Sequence, residues 1–225
     1  MLGTSLVSKF IQVLARTIGD QELNLIHELH KKATLETIQF IEQNNLGAMI
    51  KIDNRLRLVW LLKDELKNGM ILEFGVFKGR SINNIAKVFP NREIYGFDTF
   101  MGLHENWVMC QKGEFNMYGK LPVVTKNIKL IKGLFENTLP DFLNEHKNDV
   151  AFIHIDSDLY SSAKTILSQL ENKINNTYIL FDEYWNLPDW KNHEYKAFME
   201  FITKTGKKFE YVAHTGGPQV LVKVY

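Results

Sequence analysis

Carboxylates stand at the points where the apolar runs of this sequence stop. Glu73 sits in "ILEFGVFKGRS", Asp98 ends "EIYGFD", Asp156 and Asp158 follow "VAFIHI", and Asp182 with Glu183 follows "TYILF". One acid at a strand-to-helix turn reads as a cap for the helix that follows. A whole set gathered at one edge does not, because clustered anions repel and are costly to desolvate. Such a set needs compensating donors or a cation.

The first of these runs also carries Gly75 and Gly79. The spacing is wrong for a dinucleotide loop: Glu73 stands where the first glycine would be, and the remaining pair is G-x-x-x-G. An acid there repels a pyrophosphate and suits an ammonium. Gly75 has no Cβ, so its backbone can be approached closely. Asp98, at the end of the next run, can accept hydrogen bonds from both hydroxyls of a ribose. A ribose without phosphates points to S-adenosylmethionine.

These residues need a sheet to bring them together. From residue 70 short apolar runs alternate with helical patterns: "MILEFGV", "SINNIAKVF", "EIYGFD", "NIKLIKG", "LPDFLNEH", "VAFIHID", "SSAKTILSQLENKI", "TYILFDEY" and "EYKAFMEFITKTG". That alternation predicts right-handed βαβ crossovers, a mainly parallel sheet and helices on both faces. "FEYVAHT" and "QVLVKVY" flank Gly216, Gly217 and Pro218 and predict a closing hairpin with one antiparallel strand. In such sheets ligands bind at the carboxyl ends of the strands, where the acids are. Residues 1–67 carry helical spacing only: "QELNLIHELHKKATLETIQFIEQNNL" before Gly47, and "DNRLRLVWLLKDELKNG" with Asp53 as N-cap and Gly69 as stop. The expected organisation is a helical extension over 1–69, serving as a cap on the site or a homodimer contact, and an α/β domain over 70–225.

"LEFGVFKGRS", "GFDTFMGL", "KGLFENTLP", "HIDSDLYSS" and "LFDEYW", in this order and spacing, resemble the macrocin O-methyltransferase family. These are class I enzymes that methylate sugar hydroxyls of macrolides and related natural products. The resemblance implies a Rossmann-like methyltransferase fold, a seven-stranded sheet with an antiparallel final strand. It implies S-adenosylmethionine as cofactor, held by Glu73, Gly75, Phe77, Gly79, Ser81, Asp98, Thr99, Gly133, Leu134, Phe135 and Asp156. It also implies a divalent cation, usually magnesium, on Asp156, Asp182 and Glu183. Relatives often carry two aspartates at the last pair; Glu183 keeps the charge on a longer arm. Asp158 matches the second acid of the D-x-D motif. Magnesium's preference for hard oxygen ligands and open positions suits three such acids. A base must take the acceptor's proton, and Asp156, His214 and His104 are the candidates. His154, alternating inside a buried strand, reads as a core residue.

Composition narrows the rest. The chain has 225 residues, a formal charge of +1 and one cysteine, Cys110. The balanced charge gives no basic face for nucleic acid. One cysteine allows no internal disulfide and fits a reducing, cytoplasmic setting. "MLGTSLVSKFIQVLARTIG" is broken by Lys9 and Arg16 and reads as an amphipathic helix rather than a signal peptide or span. The long loop "MGLHENWVMCQKGEFNMYGKLP" is a candidate lid. Tyr184, Trp185 and Trp190 are candidates to stack on a sugar, or else to pack in the core. The acceptor is expected to be a small molecule.

Overall fold

The computed structural model describes residues 24–108 and 110–225, so the expected helix near the start of the chain lies outside the described residues. In chain order the elements are α1 (Leu25–Gln43), β1 (Ile50–Lys51), α2 (Arg55–Trp60), β2 (Met70–Phe74), α3 (Arg80–Val88), β3 (Ile94–Asp98) and β4 (Ile128–Lys132). There follow α4 (Phe135–Glu145), β5 (Val150–Ile155), α5 (Tyr160–Gln169), β6 (Ile174–Phe181), a 3-10 turn (Trp190–Asn192), α6 (Glu194–Thr205), β7 (Phe209–His214) and β8 (Val220–Val224).

Continuous apolar runs build the centre of the sheet, because a strand covered on both faces needs no polar alternate. β2 and β5 are buried at every residue. Their neighbours complete an eight-stranded sheet in the order β1-β7-β8-β6-β5-β2-β3-β4. Among the described strands only β8 runs antiparallel, to both β6 and β7. The parallel sheet, the antiparallel final strand and the helices on both faces agree with expectation. The eighth strand does not come from the α/β portion: β1 pairs Ile50 with Ala213 and Lys51 with His214, inside the stretch expected to be wholly helical. Two residues are too few to leave a period in the sequence.

Alternation assigns each strand residue to one of two cores. Leu72, Phe74, Ile153, Ile155, Ile179 and Phe181 face one side with α1, α4, α5 and α6. Ile71, Phe152 and Leu180 face the other with α2 and α3. Register then levels the strand ends: Glu73 pairs with His154 and Gly96, Ile155 with Phe181, and Asp98 with Lys132. The carboxyl ends of β2, β3, β5 and β6 therefore open on one edge.

Helix boundaries follow local capping. Asn24 caps α1 by accepting from the backbone of Ile26 at 3.0 Å and His27 at 3.3 Å. α2 is shorter than its apolar stripe suggests and is capped by Asn54, which accepts from Arg57 N at 3.1 Å, rather than by Asp53. Asp53 instead pairs with Arg57 at 2.6 Å. Among the described residues no helix is long and apolar enough to cross a membrane.

Candidate active site

A cavity of about 410 Å³ opens at the levelled strand ends. One end is built from backbone. After β2 the chain turns at Gly75, with φ +91°, where a Cβ would lie 1.7 Å from the carbonyl oxygen of Asp156. Glycine is therefore required there by the neighbouring strand's backbone, not only by a ligand. Gly79, at φ +77°, starts α3. Asp98 holds the intervening loop in place. Its Oδ2 accepts from Val76 N at 2.8 Å and Phe77 N at 2.7 Å, and its Oδ1 accepts from Phe100 N at 2.7 Å. Asp98 lines the cavity, but with these bonds made its spare acceptor capacity is mainly at Oδ1.

The other end is built from side-chain charge. Asp156, Asp158, Asp182 and Glu183 all line the cavity. Arg55, the first residue of α2, reaches them: its Nη1 donates to Asp156 Oδ2 at 2.8 Å and to Asp182 Oδ1 at 2.5 Å. Behind them His154 is 1% exposed, with Nδ1 2.9 Å from Glu73 Oε2. Its Nε2 lies 3.7 Å from Asp182 Oδ1 and 4.0 Å from Asp156 Oδ2, beyond hydrogen-bond reach but within strong charge attraction. Burial alone would strip the imidazole of its proton; Asp182 and Glu73 outweigh it and hold the pKa up at about 10. Burial likewise favours a neutral Asp182, yet His154 and Arg55 pull its pKa down to about 2. Asp156 is pushed up to about 7 by burial and the Asp182 charge, against the pull of His154 and Arg55. Burial, then Asp156, raises Asp158 to about 8. Burial and Asp182 raise Glu183 well above the usual carboxylate range.

The donors suit a hard cation. Oxygens of Asp156, Asp158 and Glu183 lie within 4.8 Å of one another, whereas Asp182 groups with Asp156 and with His154, whose protonated ring cannot ligate an ion, so the expected trio of Asp156, Asp182 and Glu183 is not gathered as one set. Among the described residues Glu183 Oε2 is buried without a hydrogen-bond partner, as suits a ligand atom.

The model of the family described as "Methyltransferase domain" matches residues 72–184, from β2 through the end of the acid cluster. The chain belongs to the methyltransferase domain family. No curated protein matches the sequence. Among solved structures, this methyltransferase is similar to CalS11, a calicheamicin methyltransferase, at 22% identity and TM-score 0.59, covering 75% of this chain and 76% of that one. A second structure, of apo CalS11 described as a TDP-rhamnose 3'-O-methyltransferase, gives 23% identity and TM-score 0.54 over 75% and 76% of the two chains. An O-methyltransferase from Bacillus cereus in complex with SAH gives 16% identity and TM-score 0.50, covering 86% and 90%. At these identities the likeness is one of fold.

The methyltransferase cavity gathers most of the residues that the sequence singled out: Gly75, Phe77, Ser81, Asp98, Thr99, Leu134, Phe135, Asp156, Asp182 and Glu183. Glu73 is not among its walls. It is fully buried, accepts from Ser81 Oγ at 3.0 Å and pairs with His154, so it supports the site from behind instead of meeting an ammonium. Gly79 and Gly133 shape the loops without lining the cavity, and His214 lies outside it. His214 pairs across to Lys51 and its Nδ1 accepts from Gly216 N at 3.1 Å, which ties it to the β7–β8 turn and not to a proton-transfer position. His104 does line the cavity, with Nε2 3.4 Å from Ser161 Oγ. Tyr184, Trp185 and Trp190 are buried and pack around Phe40, Tyr195 and Tyr211, so they are core residues and not a sugar platform. The long loop covers the cavity with Leu103, His104, Trp107 and Phe115, whose ring meets Phe77 at 5.6 Å.

Three functional residues escaped the sequence. Arg55 opens α2, a short and largely apolar helix that the sequence marks as helical and not as a strand end. His154 was placed correctly as buried, but its partners lie on β2 and β6. Glu194, fully buried at the start of α6, accepts from Glu183 N at 3.0 Å and sets that backbone. The one available signal was arithmetic: clustered anions must find cations, and an arginine and a histidine supply them.

Proposed function

We propose that this protein is an O-methyltransferase of the macrocin type, moving the methyl group of S-adenosylmethionine to a hydroxyl of a sugar or glycosylated natural product with a divalent cation, magnesium for preference. The observation that carries this is a single cavity with two unlike ends, a loop held by Asp98 and a carboxylate cluster opposite it. The CalS11 likeness, to an enzyme described as acting on TDP-rhamnose, supports the sugar acceptor.

In this reading the Gly75–Phe77 loop, Asp98, Thr99, Leu134 and Phe135 hold the nucleoside, with Oδ1 of Asp98 free to take a ribose hydroxyl. Asp156, Asp182 and Glu183 would hold the cation, which when bound supplies the Lewis acidity that eases loss of the acceptor's proton. The acceptor oxygen attacks the methyl carbon in line with the sulfonium sulfur. An oxygen–carbon bond forms, the carbon–sulfur bond breaks, and its electron pair stays on sulfur as the thioether. The hydroxyl proton goes to a carboxylate. Asp156 was expected in this role; Asp158 also lines the cavity and offers a second carboxylate beside it. The long loop excludes water over the reacting centre.

Calorimetry with S-adenosylmethionine and turnover with sugar diols test this. Asp98→Ala is expected to weaken cofactor binding tenfold or more, on the scale of roughly 1.5–3 kcal/mol for a charged hydrogen bond. Asp182→Ala is expected to keep cofactor binding and lose turnover, as does adding a chelator. Unchanged turnover in Asp182→Ala and in chelator would leave a metal-independent methyltransferase.

A further inference from the structure

Arg55 does more than balance charge. A single nitrogen, Nη1, bridges the two oxygens Asp156 Oδ2 and Asp182 Oδ1. These belong to two of the three acids assigned above to the cation. A divalent ion held by both acids would compete for those oxygens and would stand beside a guanidinium charge. Two cations cannot share that pair without strong repulsion. Arg55 also borders open space on its other side. It forms part of the wall of a second cavity, of about 460 Å³, whose other polar walls are Asn54, Arg80, Ser81, Asn84 and His154. Arg55, Arg80 and Ser81 line both cavities, so the guanidinium stands at the partition between them.

We propose that Arg55 is a resident counter-ion that exchanges with the divalent cation. In the metal-free protein it ties Asp156 to Asp182; when the ion arrives it gives up both oxygens. This rests on the cation reading given above and adds what sets the ion's affinity. The helical stretch before residue 70 thereby acts on the site through a charge, and not only as a cover.

Manganese serves as the probe, with free ion counted by electron paramagnetic resonance in titrations of the full chain. Arg55→Gln is expected to bind Mn²⁺ about tenfold tighter or more than the parent, since a competing charge beside the acids is gone. Arg55→Lys, which keeps the charge, is expected to stay near the parent. A second readout uses the unaltered protein. Phenylglyoxal modification of Arg55, followed by peptide mass, is expected to change in rate at saturating Mn²⁺. Equal Mn²⁺ affinity in the parent and Arg55→Gln, at a site lost in Asp182→Asn, overturns the exchange and leaves the cation reading intact. An Arg55 reactivity untouched by bound Mn²⁺ does the same, even if the variants fail to fold. Absence of Mn²⁺ binding in the parent and in both Arg55 variants overturns the cation reading and the exchange together.

Discussion

The two ends of the cavity are held by different forces. At the Gly75–Asp98 end, backbone N–H groups converge on one carboxylate, and every contact joins residues from neighbouring turns of chain. At the Asp156–Asp182 end, side-chain charges compensate one another across the fold: Arg55 from α2, Glu73 from β2, His154 from β5 and Asp182 from the end of β6. Hydrogen bonds to a preformed loop keep their shape in any salt and at any occupancy. A buried charge network keeps its shape only while its count of charges holds. The loop end is therefore expected to be rigid and the acid end adjustable.

The sharpest way to break this contrast is at the loop. Gly75→Ala puts a methyl group 1.7 Å from a backbone carbonyl oxygen and forces φ +91° on a residue with a side chain. Neither atom can yield without parting β2 from β5. A loss beyond about 4 kcal/mol is expected, in the range where single changes unfold a domain. Urea denaturation of the purified variant checks it, and a midpoint equal to the parent's would mean that this turn is pliable.

That end of the site was legible in the sequence because it is local. Glu73, Gly75 and Asp98 stand at the ends of successive apolar runs, and the topology rule puts them together. The acid end was half legible. Its anions could be seen at strand ends, but Arg55 and Glu194 lie on helices whose placement depends on packing, and nothing in "DNRLRL" distinguishes Arg55, which reaches the acids, from Arg57, which does not. Glu73 shows the cost of reading a motif without its neighbours: position suggested the cavity, but alternation along β2 turned its side chain toward Ser81 and His154. For Tyr184 and Trp185 the sequence left a sugar contact and core packing both open, and only the fold decides for the core.

A smaller effect is expected where the network can be unbalanced without a steric clash. His154→Leu leaves Glu73 buried with only the Ser81 hydroxyl, and breaking a buried ion pair this way costs about 3–5 kcal/mol. The pH dependence tests the same charge. His154 is raised from 6.5 to about 10, so the stability it contributes is fully present below 6.5 and is lost as pH rises through about 10. In chelator, the parent's denaturation midpoint is expected to fall across that window more steeply than that of His154→Leu. Parallel curves would mean that His154 is buried neutral, and that Arg55 alone offsets the acids.

The smallest effect concerns the loop that roofs both ends. Lys132, the last residue of the edge strand β4, donates from Nζ to Gly119 O at 2.8 Å. This contact is exposed, so Lys132→Met is expected to lower stability by no more than about 1 kcal/mol. The loop is also tied to Phe100 by Met117 N and Gly119 N, at 3.1 and 2.8 Å, and Phe100 N is itself held by Asp98. Freeing the Lys132 anchor therefore loosens the roof from its far side while leaving the hinge beside the nucleoside end in place. Hydrogen exchange is expected to quicken at Tyr118–Leu121 and not at Val76–Phe77. If exchange instead quickens at both, the loop and the Asp98-held turn open as one unit, and the rigid end of the cavity owes its shape to the roof as much as to its own hydrogen bonds.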